Sequence, residues 1–258
     1  MTDQREFFRS RELDYWARAD GLKDEEAALI DRWLDPSLPT LDAGTGGGRI
    51  PRALAESGFQ RLTGFDFTPE LIAAARSMPG AEGITFDVAD ATALPYENDA
   101  FAQATYLQQV ICTIDDADGR DAALAEAARV LEPGGTAIFS FVCWESRQAS
   151  RAQRAYVAYL AFWRRAKRDP RPLQSMPRLR RSGRADPGAF RDRGPFNWWY
   201  RAREAQAALK AAGFDVAAIG FGGDAARGAL SASAAEALDR GARGTLYAVC
   251  RKPDQIAE

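Results

Sequence analysis

A doubly wound α/β domain on a mostly parallel, seven-stranded sheet is predicted by three observations. Seven short runs rich in β-branched, aliphatic and aromatic residues recur along the 258 residues. Helix-length stretches separate most of them. The first run flows into "LDAGTGGGRI", a turn with four glycines in five residues: Gly44, Gly46, Gly47 and Gly48. Strands that alternate with helices of this length form right-handed βαβ units and a parallel sheet.

In order, the strand-like runs are "TLDAG", "RLTGFDF", "GITFDVAD", "FAQATYL", "GTAIFSFV", "FDVAAIGFG" and "GTLYAVCRK". Helical spacing of apolar residues covers 49–57, 69–77, 120–131 and 202–212, the last stopped by Gly213. A further stretch, 146–168, has no proline or glycine and ends before Pro170. At helical spacing it sets Arg147, Arg151, Arg154 and Arg165 against Tyr156, Tyr159, Leu160 and Trp163, which predicts one amphipathic helix with a basic face. No internal repeat or long low-complexity tract interrupts this plan, and 258 residues suffice for one core with an elaboration.

Composition excludes several classes. Charged residues at 27% and hydrophobic ones at 46% are the balance of a soluble globular chain. The first twenty residues carry charges throughout and no apolar run of the secretory kind, so a cytoplasmic location is expected. The longest apolar run, "YVAYLAFW", is far short of the ~20 residues of a membrane span. Three scattered cysteines suggest neither disulfides nor a metal site. Histidine is absent, which removes the commonest general base and transition-metal ligand together.

The net charge of -2 hides a division. Residues 143–204 hold sixteen basic and five acidic side chains, a balance of +11, leaving 18 against 31, or -13, for the remainder. Four of the six tryptophans fall in the same segment.

On a doubly wound sheet, ligands bind beyond the carboxyl ends of the strands, and the first strand-to-helix turn is the usual cradle. Bare glycine backbone lets a ligand approach closely, and the following helix offers free N–H groups. Counted from Gly44, a dinucleotide fingerprint would need a small residue where Arg49 stands, so that reading fails. The pattern Asp42-x-Gly44-x-Gly46-x-Gly48 instead resembles motif I of the class I S-adenosylmethionine-dependent methyltransferases, small-molecule branch. "LTGFDFTPELIAAAR", "FDVADATALPYENDAFAQA", "ARVLEPGGTAIFSF" and "LKAAGFDV" are similar to that family's later motifs, across about 38–142 and 200–252.

The resemblance implies a Rossmann-like methyltransferase fold and S-adenosyl-L-methionine as cofactor. It implies cofactor contacts from Asp42, Gly44, Thr45, Gly46 and Arg49 in the first turn, and from Asp66, with Phe67 beside it, to both ribose hydroxyls. Asp90 and Ala91 would face the adenine, and Leu107 and Gln108 the methionine portion. Where the family often has an acid in its fourth-strand motif, this chain has Ala102. Many relatives place histidine or asparagine near Gln108 and Gln109; a glutamine orients but removes no proton. No catalytic base is named by the sequence.

Four regions follow: a helical N-terminal lid (1–37), the cofactor-binding core (38–142), an arginine-rich helical cap inserted after the fifth strand (143–200) and the C-terminal part of the core (201–258). Expected acceptor contacts are Tyr15 from the lid, beside the gate candidate Trp16, then Gln109, and Trp198, Trp199 and Tyr200 from "PFNWWY". Arg178, Arg180, Arg181 and Arg184 belong to a loop-like stretch able to close over the site. A small-molecule acceptor, anionic in view of these arginines, is the first reading. RNA, tRNA above all, is the second because concentrated arginine neutralises phosphate; a catalytically silent partner subunit is the third.

Overall fold

The computed structural model describes residues 12–181 and 184–254, with no side-chain description for 180, 181 and 184. In chain order the elements are α1 (Leu13–Ala17), α2 (Asp24–Trp33), β1 (Thr40–Ala43), α3 (Arg49–Glu56), β2 (Leu62–Asp66), α4 (Pro69–Ser77), β3 (Thr85–Val88), β4 (Phe101–Tyr106), α5 (Ala117–Val130) and β5 (Leu131–Phe141). An insertion follows with α6 (Trp144–Arg147), α7 (Arg151–Lys167), β6 (Ser175–Pro177), β7 (Arg180–Arg181), β8 (Arg184–Ala185) and β9 (Phe196–Trp198). The chain then returns through α8 (Ala202–Ala211), β10 (Asp215–Phe221), α9 (Gly222–Ala226), α10 (Ala234–Asp239) and β11 (Leu246–Arg251).

Seven strands form one sheet in the order β3-β2-β1-β4-β5-β11-β10. All neighbours are parallel except β11, which runs antiparallel to both β5 and β10. β1 is buried along its whole length, as a central parallel strand covered on both faces must be. Its position between β2 and β4 creates the switch in strand order, and a crevice opens beyond the carboxyl ends there. One core cluster stacks Tyr106, Phe139, Phe141 and Phe214 with neighbouring ring centroids 5.0–6.3 Å apart. A second joins Leu29 and Ile30 of α2 to Ile50, Leu54 and Tyr247. Among the described residues no helix is long and apolar enough to cross a membrane.

Local chemistry sets the helix starts. Asp116 caps α5 by accepting from the Gly119 N–H at 2.6 Å, and Pro69 opens α4, where its missing N–H costs nothing. The helix expected over 146–168 is two helices. Ser150 accepts from the Gln153 N–H at 3.2 Å and so caps a fresh start, which separates α6 from α7 and removes Arg147 from the basic face. The loop-like stretch after it is partly paired: β6 with β9 and β7 with β8. Helices α2, α9 and α10 are short elements that apolar spacing did not single out.

Candidate functional site

A cleft of about 620 Å³ lies at the switch point. Its floor is the turn after β1. Gly46 takes φ +56, open to glycine and strained for other residues, and a Cβ at Gly44 would meet Val110 at 2.7 Å. At Gly47 the crowding comes from elsewhere: a Cβ would sit 2.6 Å from the Ala17 carbonyl oxygen, and the Gly47 N–H donates to the Trp16 carbonyl at 3.2 Å. Part of this glycine run therefore serves the docking of α1 on the turn.

Asp66 ends β2 and is buried, with its carboxylate fixed on both oxygens. Oδ2 accepts from the Gly46 N–H at 3.1 Å and Oδ1 from the Thr68 N–H at 2.9 Å. A carboxylate oxygen has about two acceptor sites, so each retains capacity for one hydroxyl, the geometry a ribose diol requires. Burial pushes the Asp66 carboxyl above the ordinary range, and these two backbone donors offset part of that. Asp90 lines the next wall, with Oδ1 accepting from the Thr92 N–H at 3.0 Å and hydroxyl at 2.8 Å. Phe67, Ala91, Val110 and Ile114 supply apolar surface for a flat ring. These residues fit an adenosyl group.

At the carboxyl end of β4, Gln108 and Gln109 have φ +59 and +62 in succession, an unusual backbone for non-glycine residues. Gln108 lines the cleft, and its side-chain amide donates to Glu26. Glu26 also pairs with Arg49 at 2.8 Å. Burial raises the Glu26 carboxyl, but the Arg49 hydrogen bond and charge outweigh it and leave it below the ordinary range.

Of the residues expected to touch the cofactor, Gly44, Gly46, Asp66, Phe67, Asp90, Ala91 and Gln108 line the cleft. Asp42, Thr45, Arg49 and Leu107 do not. Arg49 is held away by Glu26, Leu107 is packed in the core beneath, and Thr45 is buried with its N–H donating to the Phe65 carbonyl at 2.9 Å. Asp42 stands opposite Thr105 and accepts from that hydroxyl at 2.6 Å.

The expected acceptor contacts lie outside the lining of the cleft. Tyr15 is 45% exposed, and its neighbour Trp16 faces the cleft instead. Gln109 is half-buried, with its backbone N–H donating to Ser140 Oγ at 2.9 Å. Trp198 lies under the Arg120 guanidinium at 4.4 Å and donates to Glu204; Trp199 lies beside Arg147; Tyr200 packs on Phe141 at 5.0 Å. None of the five lines the cleft. Arg178 does, with Nε donating to Asn197 at 2.9 Å and Nη1 3.4 Å from Glu12. Val110 and Ile114 were missed, although the apolar "VICTI" directly after β4 was a signal for them.

The burial of Asp42 gives a pH prediction. Desolvation pushes its carboxyl up to about 7, partly offset by Thr105 and Arg49. The folded chain then holds a proton that the unfolded chain has lost above pH ~4, so stability falls as pH rises from about 4 to 7. Asp42→Asn should flatten the urea-unfolding profile in that window by up to ~1.4 kcal/mol per pH unit. Parallel profiles for variant and parent would remove Asp42 as the source.

Comparison with known proteins fits this geometry. Residues 41–139 match the family model described as "Methyltransferase domain". Over 100 residues the chain is 35% identical to the ubiquinone/menaquinone biosynthesis C-methyltransferase UbiE of Desulfotalea psychrophila, covering 38% of this chain and 39% of that protein. Over 133 residues it is 42% identical to UbiE of a Caulobacter species, covering 48% and 49%. The chain thus matches less than half the length of these curated relatives. A SAM-dependent methyltransferase structure from Methanosarcina mazei superposes with a TM-score of 0.65 at 19% identity, covering 92% of this chain and 100% of that one, a likeness of fold. Residues 41–139 thus carry the match to a methyltransferase domain, and the fold around them is like that of the SAM-dependent methyltransferase structure.

Proposed function

We propose that the chain transfers the methyl group of S-adenosylmethionine to a small-molecule acceptor that enters beneath the insertion, which serves as a cap, while α1 serves as a lid in a cytoplasmic enzyme. The cleft carries this reading. Its volume lies within the roughly 300–1,000 Å³ of small-molecule sites. Among the described residues five aspartates line it, Asp66, Asp90, Asp115, Asp116 and Asp118, against one cation, Arg178. Such a surface attracts a sulfonium and repels a phosphate backbone.

Three arginines of the segment are engaged within the chain, while Arg151, Arg154 and Arg165 stay exposed. Arg164 is 3% exposed and grips Asp192 through two hydrogen bonds of 2.8 Å, Arg171 joins the same carboxylate at 2.8 Å, and Arg178 faces Glu12. Arg180, Arg181 and Arg184 lie outside the described side chains.

When bound, S-adenosylmethionine supplies a methyl carbon already activated by its sulfonium, so in-line alignment of the acceptor matters more than a strong base. In this scheme Asp66 and Asp90 anchor the adenosine. The tandem left-handed backbone of Gln108 and Gln109, braced by Glu26, sets the methionine portion. Trp16 covers the reacting centre from the lid and excludes water. With no histidine in the chain, the scheme suits an acceptor atom that is nucleophilic without deprotonation by imidazole.

The test is incubation with methyl-labelled cofactor and either a low-mass metabolite extract or bulk tRNA. Label is expected in the low-mass fraction, with weak tRNA binding. Label in RNA, with tRNA affinity falling by close to one log unit per log unit of salt for each phosphate contacted, would contradict the proposal.

A further inference from the structure

Arg147 is 6% exposed, yet its Nε and Nη2 are sealed from solvent without a hydrogen-bond partner. No carboxylate pairs with it among the described residues. The guanidinium lies between two rings, 4.7 Å from the centroid of Trp199 and 5.2 Å from that of Tyr156. Both walls are pinned. The Tyr156 hydroxyl donates to the Ala189 carbonyl at 3.0 Å, and the Trp199 backbone N–H donates to the Gln174 carbonyl at 2.8 Å.

Arg164, a short distance along the chain, shows what a purely structural buried arginine looks like here. Besides Asp192 it donates to the carbonyls of Pro172 at 2.7 Å and Ser175 at 2.6 Å. Ring faces stabilise the Arg147 charge but satisfy none of its in-plane donors. A buried, unpaired guanidinium is costly, and a planar fork of unused donors matches a carboxylate.

The surroundings narrow the ligand. Trp144, Met176, Leu173 and Leu179 join the two rings in one apolar cluster, which suits an organic body better than a hydrated inorganic ion. The cluster is linked to the cleft along the chain: Leu179 follows the cleft-lining Arg178, and Trp199 lies two residues beyond Asn197, which holds Arg178. An acid bound with its carboxylate in the basic cap would direct its other end toward the acidic cleft.

We propose that Arg147 is the carboxylate receptor of the cap and that the methyl acceptor is an organic acid with a flat or apolar body. This rests on the reading of the insertion as the acceptor side. The probe is benzoate, with benzyl alcohol and inorganic phosphate as controls at matched ionic strength. Thermal melts of the full chain are recorded with S-adenosylhomocysteine present. Benzoate should raise the melting midpoint of the parent and benzyl alcohol should not, and Arg147→Met should weaken benzoate at least tenfold while melting no lower than the parent. Should the methionine variant fail to fold, Arg147→Lys keeps the charge but loses the planar fork, and should still weaken benzoate severalfold. Equal benzoate shifts in parent and variants, no shift in the parent, or a phosphate shift as large as that of benzoate would overturn the proposal. Calorimetry of S-adenosylhomocysteine on the same samples reports on the cofactor site separately, so failure of the anion site and failure of the methyltransferase reading are distinguishable.

Discussion

Replacing Asp66 by alanine is expected to weaken S-adenosylmethionine binding by about 1.5–3 kcal/mol, roughly ten- to 150-fold. Two losses combine. The ribose hydroxyls lose a charged acceptor, and the Gly46 and Thr68 amides lose the carboxylate that laces the turn to the end of β2. Asp66→Asn separates them, because it keeps the shape and one acceptor oxygen while removing the charge. Calorimetric titration should rank the parent above asparagine and asparagine above alanine. Unchanged affinity in the alanine variant would remove Asp66 from the site.

The second large effect concerns stability. Arg164→Met should destabilise the chain by about 3 kcal/mol, the lower end of what breaking a buried pair costs, because Asp192 would lose two of its hydrogen bonds and retain Arg171. The carbonyls of Pro172 and Ser175 would also lose their donor. Asp192→Asn should also destabilise the chain, since it leaves the buried Arg164 guanidinium without its counter-charge and with only its carbonyl partners. Urea unfolding measures both. Insensitivity of unfolding to Arg164→Met would show that the ion pair does not organise the insertion.

The sheet was legible because each of its strands is an apolar run between turn residues, and the antiparallel β11 changes direction without changing that pattern. The turn at Gly44 and Gly46, and Asp66 and Asp90 at strand ends, were legible because backbone geometry and a fixed position on the sheet demand those residue types. Roles that depend on contacts distant in sequence were not. Gly47 admits α1, whose approach is not written in the turn itself. Glu26 looks like any helix-surface acid until Arg49 and Gln108 converge on it. "NWWY" offered three aromatics to a ligand, but Arg120, Arg147 and Phe141 engage them in the fold. The basic face of 146–168 was legible in Arg151, Arg154 and Arg165, which are exposed, but not in Arg147, which is buried beside the rings of Tyr156 and Trp199.

The most direct test of the account is an equilibrium titration of the full chain with S-adenosylhomocysteine and, separately, with NADH. Saturable one-to-one binding of S-adenosylhomocysteine, with no NADH binding, is the predicted result, since Arg49 occupies the position a dinucleotide fold reserves for a small residue. NADH binding that S-adenosylhomocysteine displaces, or no binding of S-adenosylhomocysteine at all, would contradict it.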